Sequence, residues 1–401
     1  MTSGIVKRAY KFRFYPTEQQ ENLLLRTFGC CRLVWNRMLE VRTAAWHQER
    51  RSISYAESST ALTQWKKSDE LDFLNEVSSV PLQQTLRHLQ GAFAKFWNKQ
   101  NAYPRFKSRK KSRKSAEFTR SAFSYDNGQL HLAKCDEPLN IVWSRQLPEG
   151  AQPSTVTVSH DRAGRWFVSL LIEEKIAHHE PTDTVVGIDM GLDHLAVLST
   201  GGKIRNRRHT RTNAVRLSRA QRSLARKQGP RRAAPGVAAR PASKNYLKAQ
   251  RRVARISAQT ADARRDGLHK LTSRLVCENQ TIVLEDLKVS NMSRRGGSRK
   301  KGLNRSIQDA SWAELRSMLE YKCQWYGREL IVIDQWFPST QLCSECGQQT
   351  GPCDDLRVRV WTCSVCDAVH DRDINAAKNI VAAGLAASVC GDRRSLRGAH
   401  S

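Results

Sequence analysis

The sequence predicts an α/β protein built from several domains. Its 401 residues are enough for two or three domains with sizeable cores. Helical periodicity fills residues 17–100, and alternating, β-rich segments replace it over 116–180. Beyond residue 183, short apolar strands alternate with amphipathic helices, as is typical of α/β domains. Paired cysteines interrupt this last region and indicate a small metal-binding insert.

The charge of the chain indicates a polyanionic partner. Lys and Arg number 67 against 38 Asp and Glu, which gives a formal net charge of +29. This clustered excess favours nucleic acid, because each neutralised phosphate releases condensed counterions. A membrane-surface protein would need a dominant basic amphipathic helix, and no apolar run reaches the roughly 20 residues of a transmembrane helix. The N-terminus has no apolar signal-peptide core, so we expect a cytoplasmic protein.

The N-terminal half is predicted to combine a β-domain with a helical lobe. Residues 5–14 alternate as a strand does, and Pro16-Thr17-Glu18 marks the start of the helical region. The later segment VTVSHDRAGRWFVSLLIEE has the pattern of two strands around a tight turn. We therefore expect a small β-barrel made from two separate pieces, with a helical lobe inserted between them; the pieces are 1–16 and 116–182, and the lobe is 17–115.

The C-terminal half shows the strand and helix patterns of an α/β domain. VVGIDMGLDHLAVLSTGG predicts a strand, a sharp turn and a second strand, and TIVLEDL predicts a short buried strand. Between them we expect a basic helical hairpin whose tip is rich in Pro, Gly and Ala. The remaining predictions are the hairpin over 203–270 with its break at 229–243, a basic loop at 292–306, a helix at 312–327, a strand at 328–337, a helix at 373–387 and a disordered tail at 388–401.

The cysteine spacing predicts a zinc site. Cys343-Ser-Glu-Cys346 and Cys363-Ser-Val-Cys366 form a CxxC…CxxC pattern with sixteen residues between the pairs. Four thiolates on two tight turns supply the closed tetrahedral ligand set of structural Zn²⁺. A redox dithiol or unrelated core cysteines are the alternatives, and Cys353 or His370 could replace one ligand.

Three carboxylates are candidates for a catalytic metal site. Asp189 ends the apolar segment VVGID, Glu285 ends TIVLE, and Asp373 lies at a helix start beyond the cysteines. Carboxylates at the ends of buried strands are costly unless they are paired or bind metal, and Mg²⁺ prefers such oxygen ligands. GIDMG alone could instead be a phosphate-binding turn of an ATPase, and each acidic residue alone could be a helix cap. The three together, in this order, predict a magnesium centre.

These motifs resemble those of the TnpB family. VVGIDMGLDHLAVLS, IVLEDL and HDRDINAAKNI, with CSEC and CSVC before the last, are similar to the split RuvC-like nuclease domain of these proteins. KFRFYPTEQQENLLLRTFGCCRLVWNRML and LQQTLRHLQGAFAKFW resemble the family's N-terminal segments. The resemblance covers about residues 5–385, nearly the whole chain.

The resemblance implies a ribonuclease H-like RuvC nuclease domain over 183–340 and 367–387, with a zinc ribbon at 341–366 as an insert. It also implies a wedge-type β-barrel and a helical recognition lobe. The catalytic carboxylates would be Asp189, Glu285 and Asp373, with Asp371 as a rival for the third place. They would bind two Mg²⁺ or Mn²⁺ ions, in addition to one structural Zn²⁺.

The resemblance also suggests nucleic-acid contacts. A guide RNA from the transposon end would pair with double-stranded target DNA beside a short adjacent motif. The residues facing that motif would be Tyr55, Ser59, Gln83 and Thr119. At Ser79 this sequence departs from a Lys of a relative, and at Arg120 from an Asn. The backbone contacts would come from two basic loops, with the residues Arg105, Lys107, Lys110, Lys111, Arg207 and Arg208.

An RNA-guided DNA endonuclease is therefore the function we expect, acting as a monomeric ribonucleoprotein near the prokaryotic nucleoid. Three other hypotheses share parts of this evidence. A guided repressor without cleavage should have lost a carboxylate, and all three are present. A miniature CRISPR-associated effector would use the same chemistry with another source of RNA. A transposase that joins DNA itself should show a separate domain for binding transposon ends.

Overall fold

The computed structural model describes residues 3–229, 241–294, 296–352 and 357–389. The chain divides into two compact units, one of residues 5–175 and one of residues 176–401 together with the first four. Each unit has its own hydrophobic core. The predicted tip of the basic hairpin lies largely outside the described residues, as do Cys353, Cys390 and almost all of the predicted tail.

The first unit contains a mainly antiparallel sheet and a set of helices. Its elements are β1 (Ser3–Phe14), α1 (Glu18–Glu49), α2 (Tyr55–Trp65), α3 (Ser79–Trp97), β2 (Lys114–Thr119), β3 (Phe123–Asp126), β4 (Gln129–Leu132), β5 (Ile141–Val142), β6 (Pro153–His160) and β7 (Trp166–Ala177). In the sheet the strands are ordered β2-β6-β7-β1-β5, and β3 and β4 form a separate hairpin.

The predicted signals explain the start of α1 and the β6–β7 turn. Thr17 and Gln20 form a capping box, because the Gln20 backbone N–H donates to Thr17 Oγ1 and the Thr17 N–H donates to Gln20 Oε1. The turn between β6 and β7 has Gly164 at φ +79°, a conformation that favours glycine. Buried Phe12, Phe14 and Met38 join the sheet and α1 in one core.

The hydrogen bonds between these strands form an open sheet and do not close it into the β-barrel that we expected. Among the described residues, β2 and β5 are the two edge strands of a five-stranded sheet. β5 has only two residues, Ile141 and Val142, and both pair with the end of β1. So short a strand cannot carry the pairing round to β2.

The second unit is built on a five-stranded mixed sheet. Its elements are β8 (Val185–Asp189), β9 (His194–Leu198), β10 (Lys203–Arg205), α4 (His209–Thr212), α5 (Ala214–Ala225), α6 (Lys244–Glu278), β11 (Thr281–Glu285), α7 (Val289–Met292), α8 (Ser298–Ala310), α9 (Trp312–Tyr326), β12 (Glu329–Ile333), β13 (Val360–Thr362), β14 (Val369–Asp371) and α10 (Arg372–Val389). The sheet is ordered β10-β9-β8-β11-β12. The strands β8, β9 and β10 form an antiparallel meander, and β11 runs parallel to both β8 and β12.

Helices cover both faces of this sheet, which explains the continuous apolar runs of its strands. On one face Ile188 and Leu284 pack with Leu275 of α6 and Leu319 of α9. On the other face α10 packs closely on β8. A Cβ at Gly187 would lie 2.7 Å from Val381 Cγ2 and would also collide with the carbonyl oxygen of Ala377. Glycine at this position therefore allows α10 to approach the strand that ends in a candidate catalytic residue.

Two sequence predictions in this unit were wrong in detail. The basic segment 292–306, expected to be a loop, contains most of α8, because Ile307 and Ala310 bury one face of that helix. The basic hairpin does not begin at residue 203, since Lys203–Arg205 pair with β9 as the edge strand β10. Its helices are α5 and α6, and α6 extends to Glu278.

Candidate active site

Asp189 and Glu285 lie at the same edge of the sheet. Each is the last residue of its strand, and β8 and β11 are parallel neighbours whose register pairs Leu284 with Ile188. The next residue of each strand is therefore one of the two carboxylates. Ser339 Oγ donates a hydrogen bond of 2.6 Å to Glu285 Oε1, so one side of this carboxylate is held in place.

Asp371 and Asp373 have different surroundings. Asp371 caps α10, because its Oδ1 accepts from the backbone N–H of Asp373 at 3.2 Å and of Ile374 at 3.1 Å. Its Oδ2 lies 2.6 Å from Lys203 Nζ. Burial alone would raise the pKa of Asp371, but the contact with Lys203 and the backbone donors lowers it. The contacts of Asp371 therefore hold the start of α10 in place, whereas Asp373 lies in the first turn of that helix.

The charge of Asp373 acts on Asp189, which indicates that Asp373 lies near the two strand-end carboxylates. The pKa of Asp189 is raised to about 7, mainly by burial and also by the negative charges of Glu285 and Asp373, against the opposing effect of Arg372 and Arg359. Burial also raises the pKa of Glu285, although the hydrogen bond from Ser339 opposes this. Like charges gathered in a partly buried site disfavour ionisation, and a bound cation would relieve that repulsion. The oxygen donor set fits Mg²⁺ or Mn²⁺.

One arginine at this site was missed by the sequence analysis. Arg359 Nη1 lies 3.2 Å from Asp373 Oδ1, and its Nη2 donates to Asp193 Oδ2 at 2.8 Å. Arg208, predicted to contact nucleic acid, donates to the other oxygen of Asp193 at 2.9 Å. Asp193 thus holds two guanidinium groups, one of which also contacts Asp373. A single arginine in so basic a chain carries no signal that could have identified it.

The four predicted zinc ligands come together. The Sγ atoms of Cys343, Cys346, Cys363 and Cys366 all lie within 4.8 Å of one another. This cluster fits a structural zinc site with a complete set of thiolate ligands. His370 is not required as a substitute ligand, but its Nε2 is 3.0 Å from Cys343 Sγ. A histidine in contact with a ligand sulfur is typical of the supporting shell of a metal site.

Two asparagines connect the cysteine cluster to α10. Asn375 Oδ1 accepts from the Ser344 backbone N–H at 2.9 Å, and its Nδ2 donates to the carbonyl of Leu342 at 2.7 Å. Asn379 Nδ2 donates to the same carbonyl and to that of Ser339 at 2.8 Å. Both side chains are buried. The helix that carries Asp373 is therefore fastened to the loop that holds Glu285 and the first cysteine pair.

The residues expected to face the adjacent motif all lie in the first unit. Tyr55 and Ser59 are one turn apart on α2, and Gln83 lies on α3. The guanidinium of Arg87, one turn after Gln83, lies 4.9 Å from the centroid of the Tyr55 ring. Thr119 ends β2. Gln83 is exposed and the other three predicted residues are half-buried. Their role remains a prediction.

The predicted backbone contacts fall into two groups. Arg105, Lys110, Lys111 and Arg207 are exposed and available to a ligand. Lys107 Nζ instead lies 3.7 Å from the centroid of the Trp35 ring, and burial lowers the pKa of this lysine. A cation held over an aromatic face stabilises the protein itself.

None of the described helices is long and apolar enough to cross a membrane.

Three parts of the chain match known families. Residues 167–296 match the family described as "Probable transposase", and residues 312–380 match "Cas12f1-like, TNB domain". Residues 1–51 match a "Helix-turn-helix domain". In the structure, the described part of that last segment is β1 followed by α1, a single continuous helix.

Relatives cover nearly the whole chain. Two bacterial proteins are named "Putative RNA-guided DNA endonuclease". The one from Streptomyces pristinaespiralis is 61% identical over 387 residues, which is 96% of this chain and 92% of that protein. InsQ of Escherichia coli (strain K12) is 33% identical over 409 residues, covering 96% and 94% respectively. The TnpB-like protein MJ0751 of Methanocaldococcus jannaschii is 30% identical over 29% of this chain and 41% of its own.

A solved structure shares the fold. In the cryo-EM structure of a Cas12f1-sgRNA-target DNA complex, the protein matches with a TM-score of 0.57 at 13% identity, covering 94% of this chain and 99% of that one. The likeness in fold agrees with the family matches and with the two relatives that extend over the full chain. This chain belongs to the TnpB family of RNA-guided DNA endonucleases.

Proposed function

We propose that this endonuclease hydrolyses DNA at one metal-dependent RuvC-type site formed by Asp189, Glu285 and Asp373. The observation that carries the proposal is the gathering of three carboxylates so close that the charges of two raise the pKa of the third. The meander of three strands followed by two parallel strands is consistent with a ribonuclease H-like domain. The four-cysteine cluster would be the zinc ribbon inserted in it.

The chain's own residues would prepare the reaction in three ways. Asp189, Glu285 and Asp373 would hold divalent cations, which when bound would neutralise the phosphate and acidify the attacking water. Ser339 orients Glu285 through its hydrogen bond. Asp371 and Lys203 together fix the start of α10, and with it the position of Asp373. The water oxygen would form the new bond to phosphorus while the bond to the 3′-oxygen breaks, and that oxygen would take up a proton.

Guided recognition is the second part of the proposal. A guide RNA derived from the transposon end would pair with target DNA beside an adjacent motif, while the protein holds the hybrid by its shape and backbone. The net charge of +29 supports this type of binding. The Cas12f1 structure contains a guide RNA and target DNA, and we extend those two partners to this chain. We propose that the protein acts as a monomer in this complex, near the nucleoid.

Plasmid cleavage tests the proposal. The full chain is co-expressed with the RNA of its transposon end, and a plasmid carrying the matching target is added with Mg²⁺. We expect linear product from the wild type and none from Asp189→Ala, although both should retain the target in a binding assay. Full cleavage by Asp189→Ala would contradict the assignment of the site. Repression without cleavage by the wild type would instead indicate a guided repressor.

The source of the guide is a separate question with its own measurement. A CRISPR-associated effector with the same fold would bind RNA from a repeat array. Sequencing the RNA that co-purifies with the full chain distinguishes the two sources. Reads that map to the transposon end support the proposal, and reads that map to a repeat array contradict it.

A further inference from the structure

The loop after β12 presents an exposed tryptophan next to the candidate active site. Trp336 is 82% exposed, more than any other large hydrophobic residue among those that the structure describes. An isolated exposed apolar residue is normal on a protein surface. The surroundings of this one, however, are ordered and lie at the edge of the sheet where the carboxylates are.

Both ends of this loop contact Glu285 or its strand. Ile333, the last residue of β12, is the register partner of Glu285, and its carbonyl accepts from the Asp286 backbone N–H at 2.9 Å. The loop returns at Ser339, whose hydroxyl donates to Glu285 itself. Trp336 is three residues from either end, so its Cα lies within about 10 Å of each. An indole side chain can span much of that distance.

Hydrogen bonds hold the loop and orient the indole. The Trp336 backbone N–H donates to Asp334 Oδ1 at 2.8 Å, and that of Phe337 donates to the Asp334 carbonyl at 3.2 Å. With the Gln335 amide oriented to satisfy its neighbours, its oxygen accepts from Trp336 Nε1 at 3.0 Å. Phe337 packs against Ile333 in the core below. The indole is therefore held outward, with its polar edge already satisfied and its apolar faces open.

A cation completes the arrangement. Lys288 lies in the loop after β11 and is exposed, and its Nζ is 3.3 Å from the same Gln335 oxygen. One edge of the sheet thus presents a carboxylate, an ammonium group and an open aromatic face. A nucleotide offers a group to each of the last two, because its phosphate attracts the lysine and its base can stack on the indole.

We propose that Trp336 stacks on a base of the DNA strand at the active site and so positions the adjacent phosphodiester for cleavage. This inference rests on the proposed nuclease site and adds a positioning residue to it. Stacking on an indole accepts any base, which suits an enzyme whose sequence specificity comes from a guide. Lys288 would hold a neighbouring phosphate. The ligand is a single strand of DNA with an unpaired base.

Fluorescence of bound DNA tests the stacking directly. The ribonucleoprotein carries Asp189→Asn to prevent cutting, which leaves the contact between Ser339 and Glu285 intact. The target contains 2-aminopurine at single positions across the cleaved region, since this base loses fluorescence when it stacks. We expect one or two neighbouring positions to be quenched several-fold, the quenching to be lost in Trp336→Ala, and most of it to return in Trp336→Phe. Trp46→Ala is the matched control, because Trp46 is 51% exposed and lies in the first unit.

Cleavage by the otherwise wild-type protein provides the second measurement. Under single turnover we expect Trp336→Ala to cut about tenfold more slowly, because one stacked base is lost, and Trp336→Phe to recover most of the rate. The melting temperature should not change, because the side chain is exposed. Fluorescence that is independent of Trp336 at every position would overturn the inference. A wild-type protein that is a dimer and dissociates in Trp336→Ala would also overturn it, because the indole would then contact a second protein chain.

The two proposals fail in different ways. If the wild type does not cut but Trp336-dependent quenching is present, the stacking role holds and the catalytic assignment is wrong. If the wild type cuts, Asp189→Ala does not, and no position shows such quenching, the stacking role is wrong and the catalytic assignment holds. If no target DNA is bound at all, both are wrong.

Discussion

The carboxylate centre and the cysteine cluster lie in the same unit and are built on opposite plans. The cysteines come from two tight turns within 24 residues of chain, and their four clustered sulfur atoms fit the tetrahedral ligand set of a structural zinc ion. The carboxylates come from three elements spread over 185 residues, and their like charges oppose one another. The cysteine cluster is closed and suits a structural ion. The carboxylate centre has additional oxygen donors and suits a metal that must also bind substrate.

The comparison has a practical meaning for metal dependence. A closed thiolate site should hold its ion through purification and contribute to folding. A carboxylate site that relies on the ion to relieve repulsion should exchange it freely. Loss of activity should therefore be the main consequence of changing a carboxylate, and loss of folded protein the main consequence of changing a cysteine.

The largest effect is expected for the third carboxylate. Asp373→Asn should lower the single-turnover rate of guided cleavage by about a thousandfold, because it removes a metal-binding charge. Asp371→Asn is the matched control and should lose less than about tenfold, since an Asn side chain can still cap a helix. Equal losses in the two variants, or a larger loss at Asp371, would show that the assignment is inverted.

A cysteine change should act through folding. Cys363→Ser removes a fully buried ligand, so we expect less than one zinc per chain by elemental analysis and a melting temperature lower by several degrees. Cleavage should fall with the fraction of folded protein, and added Mg²⁺ should not restore it. Cys277→Ser, at an exposed cysteine outside the cluster, should match the wild type in all three measurements. Normal stability of zinc-free Cys363→Ser would contradict a structural role.

The pH dependence of stability should reveal the cost of the clustered carboxylates. The pKa of Asp189 is raised to about 7 in the folded protein, from 3.8. Its contribution is therefore fully favourable below pH 4 and is lost as the pH rises through 7. Without added divalent metal, Asp189→Asn should be more stable than the wild type, by at most about 4 kcal/mol at pH 8. The advantage should shrink as the pH falls towards 4, as denaturant unfolding will measure; a constant difference would contradict the raised pKa.

The smallest effect is expected for Arg359. Its positive charge lowers the pKa of Asp189. Arg359→Gln should therefore move the acidic limb of the pH profile of cleavage to higher pH. The shift should be less than about one pH unit, because the arginine is half-exposed. Arg359→Lys should move it less. Arg265→Gln, which breaks an ion pair with Glu314 elsewhere in the unit, should leave the profile where it was. A shift to lower pH would contradict the proposed coupling.

The sequence could predict the parts of both sites that depend on local pattern. The cysteine spacing identified all four clustered sulfurs, and apolar runs ending in an acid located Asp189 and Glu285 at strand ends. Choosing between Asp371 and Asp373 was a different problem, because a helix cap and a first-turn residue are only two positions apart. Asp371 contacts Lys203, whereas the charge of Asp373 acts on Asp189, and this difference supports the choice of Asp373.

Other features could not be read from the sequence, for identifiable reasons. No helix was predicted at α8, because its sequence contains Gly302 and a run of charges and follows Gly296 and Gly297. Its buried face can be recognised only in the structure, where Ile307 packs in the core. Asn375 and Asn379 lie in the quoted HDRDINAAKNI motif, but their partners are backbone carbonyl and N–H groups 31 to 40 residues away. Tertiary hydrogen bonds of this type have no signature in spacing. Trp336 is exposed, and no periodicity distinguishes it.

The asparagine contacts of α10 limit how far this small enzyme can be shortened for use as a genome-editing tool. The cysteine cluster looks dispensable, being an insert at a distance in sequence from two of the three carboxylates. Yet Asn379 binds the carbonyl of Ser339, the residue that orients Glu285, and Asn375 binds the first cysteine turn. Deleting the ribbon would remove the anchor of the helix that bears Asp373. Size is better reduced in segments that make no contact with residues 339–379.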